Sequence, residues 1–79
     1  MHYDIEIPPT ADGALEVTIV SWIKNEGDQV SKGQDLAEAT TEKITLYVTA
    51  PAKGTLTKIF VKVGCKVKVG TVIGSLEGI

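Results

Sequence analysis

The feature that most limits what this chain can become is that it contains one segment twice. A shift of 37 positions lays residues 17–39 on residues 54–76. Thr18 then falls on Thr55, Gly27 on Gly64, Val30 on Val67 and Gly33 on Gly70. The apolar positions keep their phase, with Ile19 over Leu56, Trp22 over Ile59 and Leu36 over Ile73. Two of the identities are glycines in turn-like surroundings, where a backbone with positive φ is wanted. In the spacing Gly-x-x-Val-x-x-Gly, the first glycine reverses the chain, the valine dips into a core, and the second glycine starts the next strand. No ten-residue stretch carries a helical period, because glycines or β-branched residues interrupt every candidate. The expectation is one all-β domain over residues 1–79, with repeat halves at about 17–39 and 54–76. Its architecture is predicted as two four-strand units related by a pseudo-twofold axis, a flattened barrel or sandwich with few exposed edges.

Along the chain, Tyr3-Asp4-Ile5-Glu6-Ile7 alternates polar and apolar residues as a half-buried strand does, and Pro8-Pro9 closes it. Thr10 to Leu15 is a turn-rich loop around Asp12-Gly13, and Val17 to Ile23 is β-branched and strand-like. Asn25-Glu26-Gly27-Asp28 and Ser31-Lys32-Gly33-Gln34 read as turns on either side of Val30. Two further alternating runs, Asp35–Ala39 and Ile44–Val48, flank Thr40-Thr41-Glu42-Lys43 and predict a β-hairpin. Neither Gly nor Asn lies in that connection, so a type I turn is expected rather than a primed one, with Lys43 held in water at the apex.

Composition narrows the function. Seventy-nine residues with net charge −2 and no arginine make a poor instrument for nucleic acid, where basic patches supply affinity. Residues 1–42 hold nine of the ten acids and residues 43–79 six of the eight lysines, a split that reads as two solvated sheet faces. No apolar run exceeds four residues, which predicts no membrane span, and no leader-like segment opens the chain. The single cysteine, Cys65, allows no internal disulfide, fits a reducing compartment, and is expected to pack as a small residue near a turn. His2 is expected in solvent, and Trp22 in the core rather than as a stacking platform. The acids Asp12, Glu16, Glu26 and Asp28 lie near turns without the spacing of a calcium loop. No grouping of residues offers a catalytic triad or a metal site.

With these residues in place, the chain resembles the lipoyl domain of the acyltransferase component of 2-oxo acid dehydrogenase complexes. The likeness runs from about Tyr3 to Leu76: the repeat, Val17 to Asp28, Gln29 to Leu36, the hairpin lysine, and Ala50-Pro51-Ala52-Lys53-Gly54. The resemblance implies an all-β sandwich of two four-stranded antiparallel sheets. It implies that Lys43 carries lipoic acid in amide linkage and that the domain is a non-catalytic swinging-arm carrier. It implies modification by a lipoate–protein ligase or lipoyl transferase. It also implies reductive acylation by a thiamine diphosphate-dependent 2-oxo acid dehydrogenase, delivery of the acyl group to coenzyme A at an acyltransferase core, and reoxidation by dihydrolipoamide dehydrogenase. A monomer suffices for this role. The compartment implied is the cytoplasm in a prokaryote or the mitochondrial matrix in a eukaryote.

Lipoyl turns commonly read Glu-Thr-Asp-Lys-Ala, whereas this one reads Thr40-Thr41-Glu42-Lys43-Ile44. Thr41 and Lys43 match, Thr40 loses a carboxylate, and Ile44 is larger than alanine. Thr41, Glu42 and Ile44 are therefore the residues expected to be read by partners. A biotinyl carrier shares the fold, but its lysine usually stands between methionines, and Met1 is the only methionine here. The lipoyl carrier of glycine cleavage and an unmodified lipoyl-like hairpin domain are the remaining alternatives.

Overall fold

A computed structural model describes residues 1–78; the domain boundary read at Ile79 lies outside the described residues. Eight strands form two antiparallel sheets and no helix is present among the described residues. They are β1 (His2–Glu6), β2 (Glu16–Trp22), β3 (Gln29–Val30), β4 (Asp35–Thr40), β5 (Thr45–Thr49), β6 (Gly54–Ile59), β7 (Lys66–Lys68) and β8 (Val72–Gly78). One sheet has the order β1-β8-β6-β3 and the other β5-β4-β2-β7. The architecture is the predicted sandwich. Alternation along β1, β2, β5 and β6 sends one face inward, while β8 buries Ile73 to Leu76 in succession. Ile5, Ile7, Val17, Ile19, Leu36, Val48, Leu56, Ile73 and Leu76 fill the space between the sheets, each under 2 % exposed.

The pseudo-twofold extends to irregularities that hydrophobic phase alone does not specify. The β2–β4 register slips between Ile19 and Ser21, and the β6–β8 register slips between Leu56 and Lys58. Asp35/Ala37 of β4 and Val72/Gly74 of β8 each bulge against a single step of the neighbouring strand. In both cases the 37-residue shift carries one bulge onto the other. Gly27 N–H donates to the Leu56 carbonyl at 2.7 Å and Gly64 N–H to the Ile19 carbonyl at 2.7 Å. The turn glycines adopt matching conformations, with φ of 94° and 92° at Gly27 and Gly64, and 82° and 90° at Gly33 and Gly70. A side chain at any of these four would be strained whatever the space around it.

Each sheet draws strands from both repeats. The short β3 of the first repeat pairs with β6 of the second, and β7 of the second pairs with β2 of the first. This exchange joins the halves through main-chain hydrogen bonds as well as through the core. In the second sheet β4 and β5 are joined by the lysine hairpin; in the first, β8 and β1 hold the equivalent places. There His2 lies opposite Glu77, and the N-terminal ammonium pairs with Glu77 Oε1 at 3.1 Å. The hairpin and the paired terminal strands are thus counterparts.

Two expectations need correction. Cys65 is exposed rather than packed. Gly64 turns the chain so that the main chain of Cys65 faces β2, its carbonyl accepting from Ile19 N–H at 2.9 Å, which leaves the side chain outside. Val30 is buried as expected, but Val67 is only half-buried. Val30 sits opposite Gly54, which has no side chain, whereas Val67 sits opposite Val17, whose own side chain is buried. Trp22 packs partly buried against the core and donates Nε1–H to the Val61 carbonyl at 2.8 Å. His2 is exposed, with Nε2 3.0 Å from Asp4 Oδ1.

Candidate functional site: the lysine hairpin

Strands β4 and β5 bring Thr40 opposite Thr45, and the four residues between them make the reversal. Among the described residues none other than glycine has positive φ, so the turn is unprimed, as its composition requires. Thr41 builds it. Its N–H donates to the Ile44 carbonyl at 2.8 Å, closing the hairpin. Its Oγ1 accepts from the N–H groups of both Lys43 and Ile44, each at 3.1 Å. Threonine hydroxyls commonly stand in for a main-chain acceptor in this way. Glu42 and Lys43 are exposed at the apex while Thr41 and Ile44 are half-buried at its base. Among the described residues the ion pairs are Met1–Glu77 and His2–Asp4, so Lys43 belongs to neither.

The turn is also held from outside. The loop between β1 and β2 crosses beside it, and Thr41 Oγ1 donates to Asp12 Oδ2 at 2.7 Å. Hydrogen bonds from the Thr10 and Thr41 hydroxyls hold the Asp12 carboxyl below its ordinary range, so it is ionised at neutral pH and accepts throughout. The loop fixes Asp12 in turn: Gly13 stands at φ 72°, and Ala14 N–H reaches Thr10 Oγ1 at 2.8 Å and Asp12 Oδ1 at 3.2 Å.

Between loop and hairpin lies an open groove of about 540 Å³ that Lys43 borders. Leu15, Glu16, Thr18, Thr40 and Lys66 of β7 line it as well. Leu15 is 82 % exposed, an apolar crest within the same surface as Lys43. Of the residues singled out from sequence, Thr41, Glu42, Lys43 and Ile44 are brought together on one turn. Thr41 spends its hydroxyl within the chain, on one donation and two acceptances. Asp12 and Lys66 were not singled out for this site. Asp12 and Thr41 are 29 residues apart, and no local pattern links an acid in one loop to a hydroxyl in another.

This arrangement can present a primary amine to other macromolecules on a stem whose base is rigid. A lysine in such a place, free of an ion pair among the described residues and beside open space, fits covalent attachment of a carboxylic acid. A biotin/lipoyl family model described as "Biotin-requiring enzyme" matches residues 3–76. The chain belongs to this family. It is 41 % identical over 77 residues to the dihydrolipoyllysine-residue succinyltransferase component of the 2-oxoglutarate dehydrogenase complex of Rickettsia conorii, and 36 % identical over 74 residues to that of Bacillus subtilis. These alignments cover 98 % and 94 % of the chain but only 20 % and 18 % of the relatives, so the chain spans about a fifth of their length. The solution structure of the lipoyl domain of the 2-oxoglutarate dehydrogenase complex from Azotobacter vinelandii superposes with a TM-score of 0.73 at 29 % identity, covering 95 % of this chain and 96 % of that one. A single-chain long-chain acyl-CoA carboxylase superposes with a TM-score of 0.83 at 18 % identity over 99 % of this chain and 7 % of its own, a likeness of fold alone.

Proposed function

We propose that this chain is a lipoyl carrier domain whose Lys43 holds lipoic acid in amide linkage and which serves a 2-oxo acid dehydrogenase complex. The names of its relatives support the 2-oxoglutarate complex, and with it a succinyl group as cargo. The observation that carries the reading is Lys43 exposed at the apex of a hairpin that is closed by Thr41 and braced by a second loop. In attachment, the deprotonated Nζ attacks an activated lipoyl carbonyl. The new C–N bond replaces the bond to the activating group, which leaves with its electron pair as the nitrogen sheds a proton. Held on Lys43, the lipoyl group would supply a cyclic disulfide able to take up an acyl group and electrons.

The residues of this chain do the rest by placement. Thr41 keeps the base of the arm in one geometry. Glu42 offers a carboxylate and Ile44 an apolar flank to whatever enzyme approaches Lys43. The partners proposed are a lipoate–protein ligase or lipoyl transferase, a thiamine diphosphate-dependent dehydrogenase, an acyltransferase core and dihydrolipoamide dehydrogenase. On its own the domain works by raising effective concentration, with the catalysis residing in those partners.

The test is coexpression with a lipoate ligase and, separately, with a biotin ligase, followed by intact and peptide mass measurement. A lipoyl adduct on Lys43 is expected; a biotinyl adduct in its place would select the biotin carrier, and neither would remove the carrier reading. Recognition by the flanks has its own measurement. Ile44→Ala and Thr40→Glu are expected to change kcat/KM for reductive acylation by a 2-oxoglutarate dehydrogenase about fivefold, the effect of roughly 1 kcal/mol at an interface. Rates equal to the parent's would mean that these two positions are not read.

A further inference from the structure

The Thr41 hydroxyl is saturated. A hydroxyl has one proton to give and two lone pairs to receive with. Both lone pairs are engaged, by Lys43 N–H and Ile44 N–H at 3.1 Å each, and the proton is taken by Asp12 Oδ2 at 2.7 Å. The three bonds are not independent. A rotor whose proton has no fixed acceptor turns toward any oxygen within reach and swings its lone pairs away from the two amides. An ionised carboxylate is the strongest acceptor a protein can offer it, and the short distance is that of a charge-assisted bond. Donation to the carboxylate also makes the hydroxyl oxygen a better acceptor for the two N–H groups.

We propose that Asp12 is a positioning residue for the lysine turn: by fixing the Thr41 hydroxyl it sets the conformation in which Lys43 is presented. The β1–β2 loop then works as a brace as well as a surface. Its own geometry is fixed by Gly13 and by the bonds from Ala14 N–H to Thr10 and Asp12, so the carboxylate arrives at Thr41 already oriented. The consequence for modification rests on the carrier reading of Lys43; the consequence for the turn does not.

The experiment compares the parent chain with Asp12→Ala, Asp12→Asn, Thr41→Val and the double variant Asp12→Ala/Thr41→Val. Two quantities are read: hydrogen exchange of the Lys43 and Ile44 amides by NMR, and the kinetics of lipoylation by a lipoate ligase. Asp12→Ala is expected to speed exchange at those two amides about tenfold while leaving the Gly27 and Gly64 amides unchanged. It is expected to lower kcat/KM for lipoylation about tenfold, mainly through kcat, as loss of a hydrogen bond to a charged group implies. Asp12→Asn keeps an acceptor in place and should recover most of both. Thr41→Val should reproduce the loss, and the double variant should be no worse than Thr41→Val alone, since the two residues act through one bond. Unchanged exchange at Lys43 and Ile44 in Asp12→Ala, or full additivity in the double variant, would overturn the proposal. If the parent chain accepts no lipoyl group, the carrier reading falls, and the exchange data still decide the role of Asp12.

Discussion

Gly54→Ala is expected to lower the thermal midpoint by about 15 °C. Gly54 is buried at the start of β6, between Val30 of β3 and Gly78 of β8. A methyl group added there would stand 2.8 Å from the Glu77 carbonyl carbon and 2.9 Å from Gly78 Cα, and closer still to the Glu77 carbonyl oxygen. All three atoms belong to the main chain of β8, so no side chain can swing aside. The β6–β8 ladder must open, and with it the strand that carries Ile73 and Leu76 into the core. Overpacking of this kind costs about 3 kcal/mol at the upper end of its usual range. In a domain of this size each kcal/mol moves the midpoint by roughly 4–8 °C. The same glycine shows why the repeats are not interchangeable. Its counterpart is Val17, which faces Val67 and fills the core itself. Thermal and urea unfolding would check the value, and a midpoint within a few degrees of the parent's would show that β8 yields at little cost.

Lys43→Arg is expected to abolish acylation completely while leaving stability untouched. Arginine keeps the positive charge and much of the stem, but its guanidinium stays protonated and offers no nucleophilic amine. Lys43 is exposed and belongs to neither ion pair of the described residues, so the folded state loses no ion pair. Surface changes of this sort usually fall within about 0.5 kcal/mol. After coexpression with a lipoate ligase, the variant should show the unmodified mass and an unaltered unfolding curve. An adduct that persisted would have to lie on another amine. Lys66, which lines the same groove, is the first place to look. Together the two substitutions separate scaffold from site: one removes the frame with the amine intact, the other removes the amine with the frame intact.

Much of this was legible from residue order because the causes are local. Alternation with period two places Ile5, Ile19, Leu36 and Leu56 inward without knowledge of their neighbours. Glycine is the residue that tolerates φ near 90°, so Gly27, Gly33, Gly64 and Gly70 mark turns wherever they stand. The hairpin around Lys43 follows from two alternating runs and a connection without Gly or Asn. Burial at Cys65 and Val67 is not local in this way: the turn at Gly64 sets one, and the residue opposite, Val17, sets the other.

What sequence alone determined about this protein is therefore its strands, their turns, the repeat and the exposed lysine, each set by backbone preferences and side-chain period within a few residues. Only the tertiary structure decided that β3 and β7 change sheets, that Gly54 touches the main chain of β8, and that Asp12 reaches Thr41 across 29 residues. Those outcomes depend on how the two sheets pack and where loops cross. Packing is a property of the whole chain at once, so no short window of residues contains it.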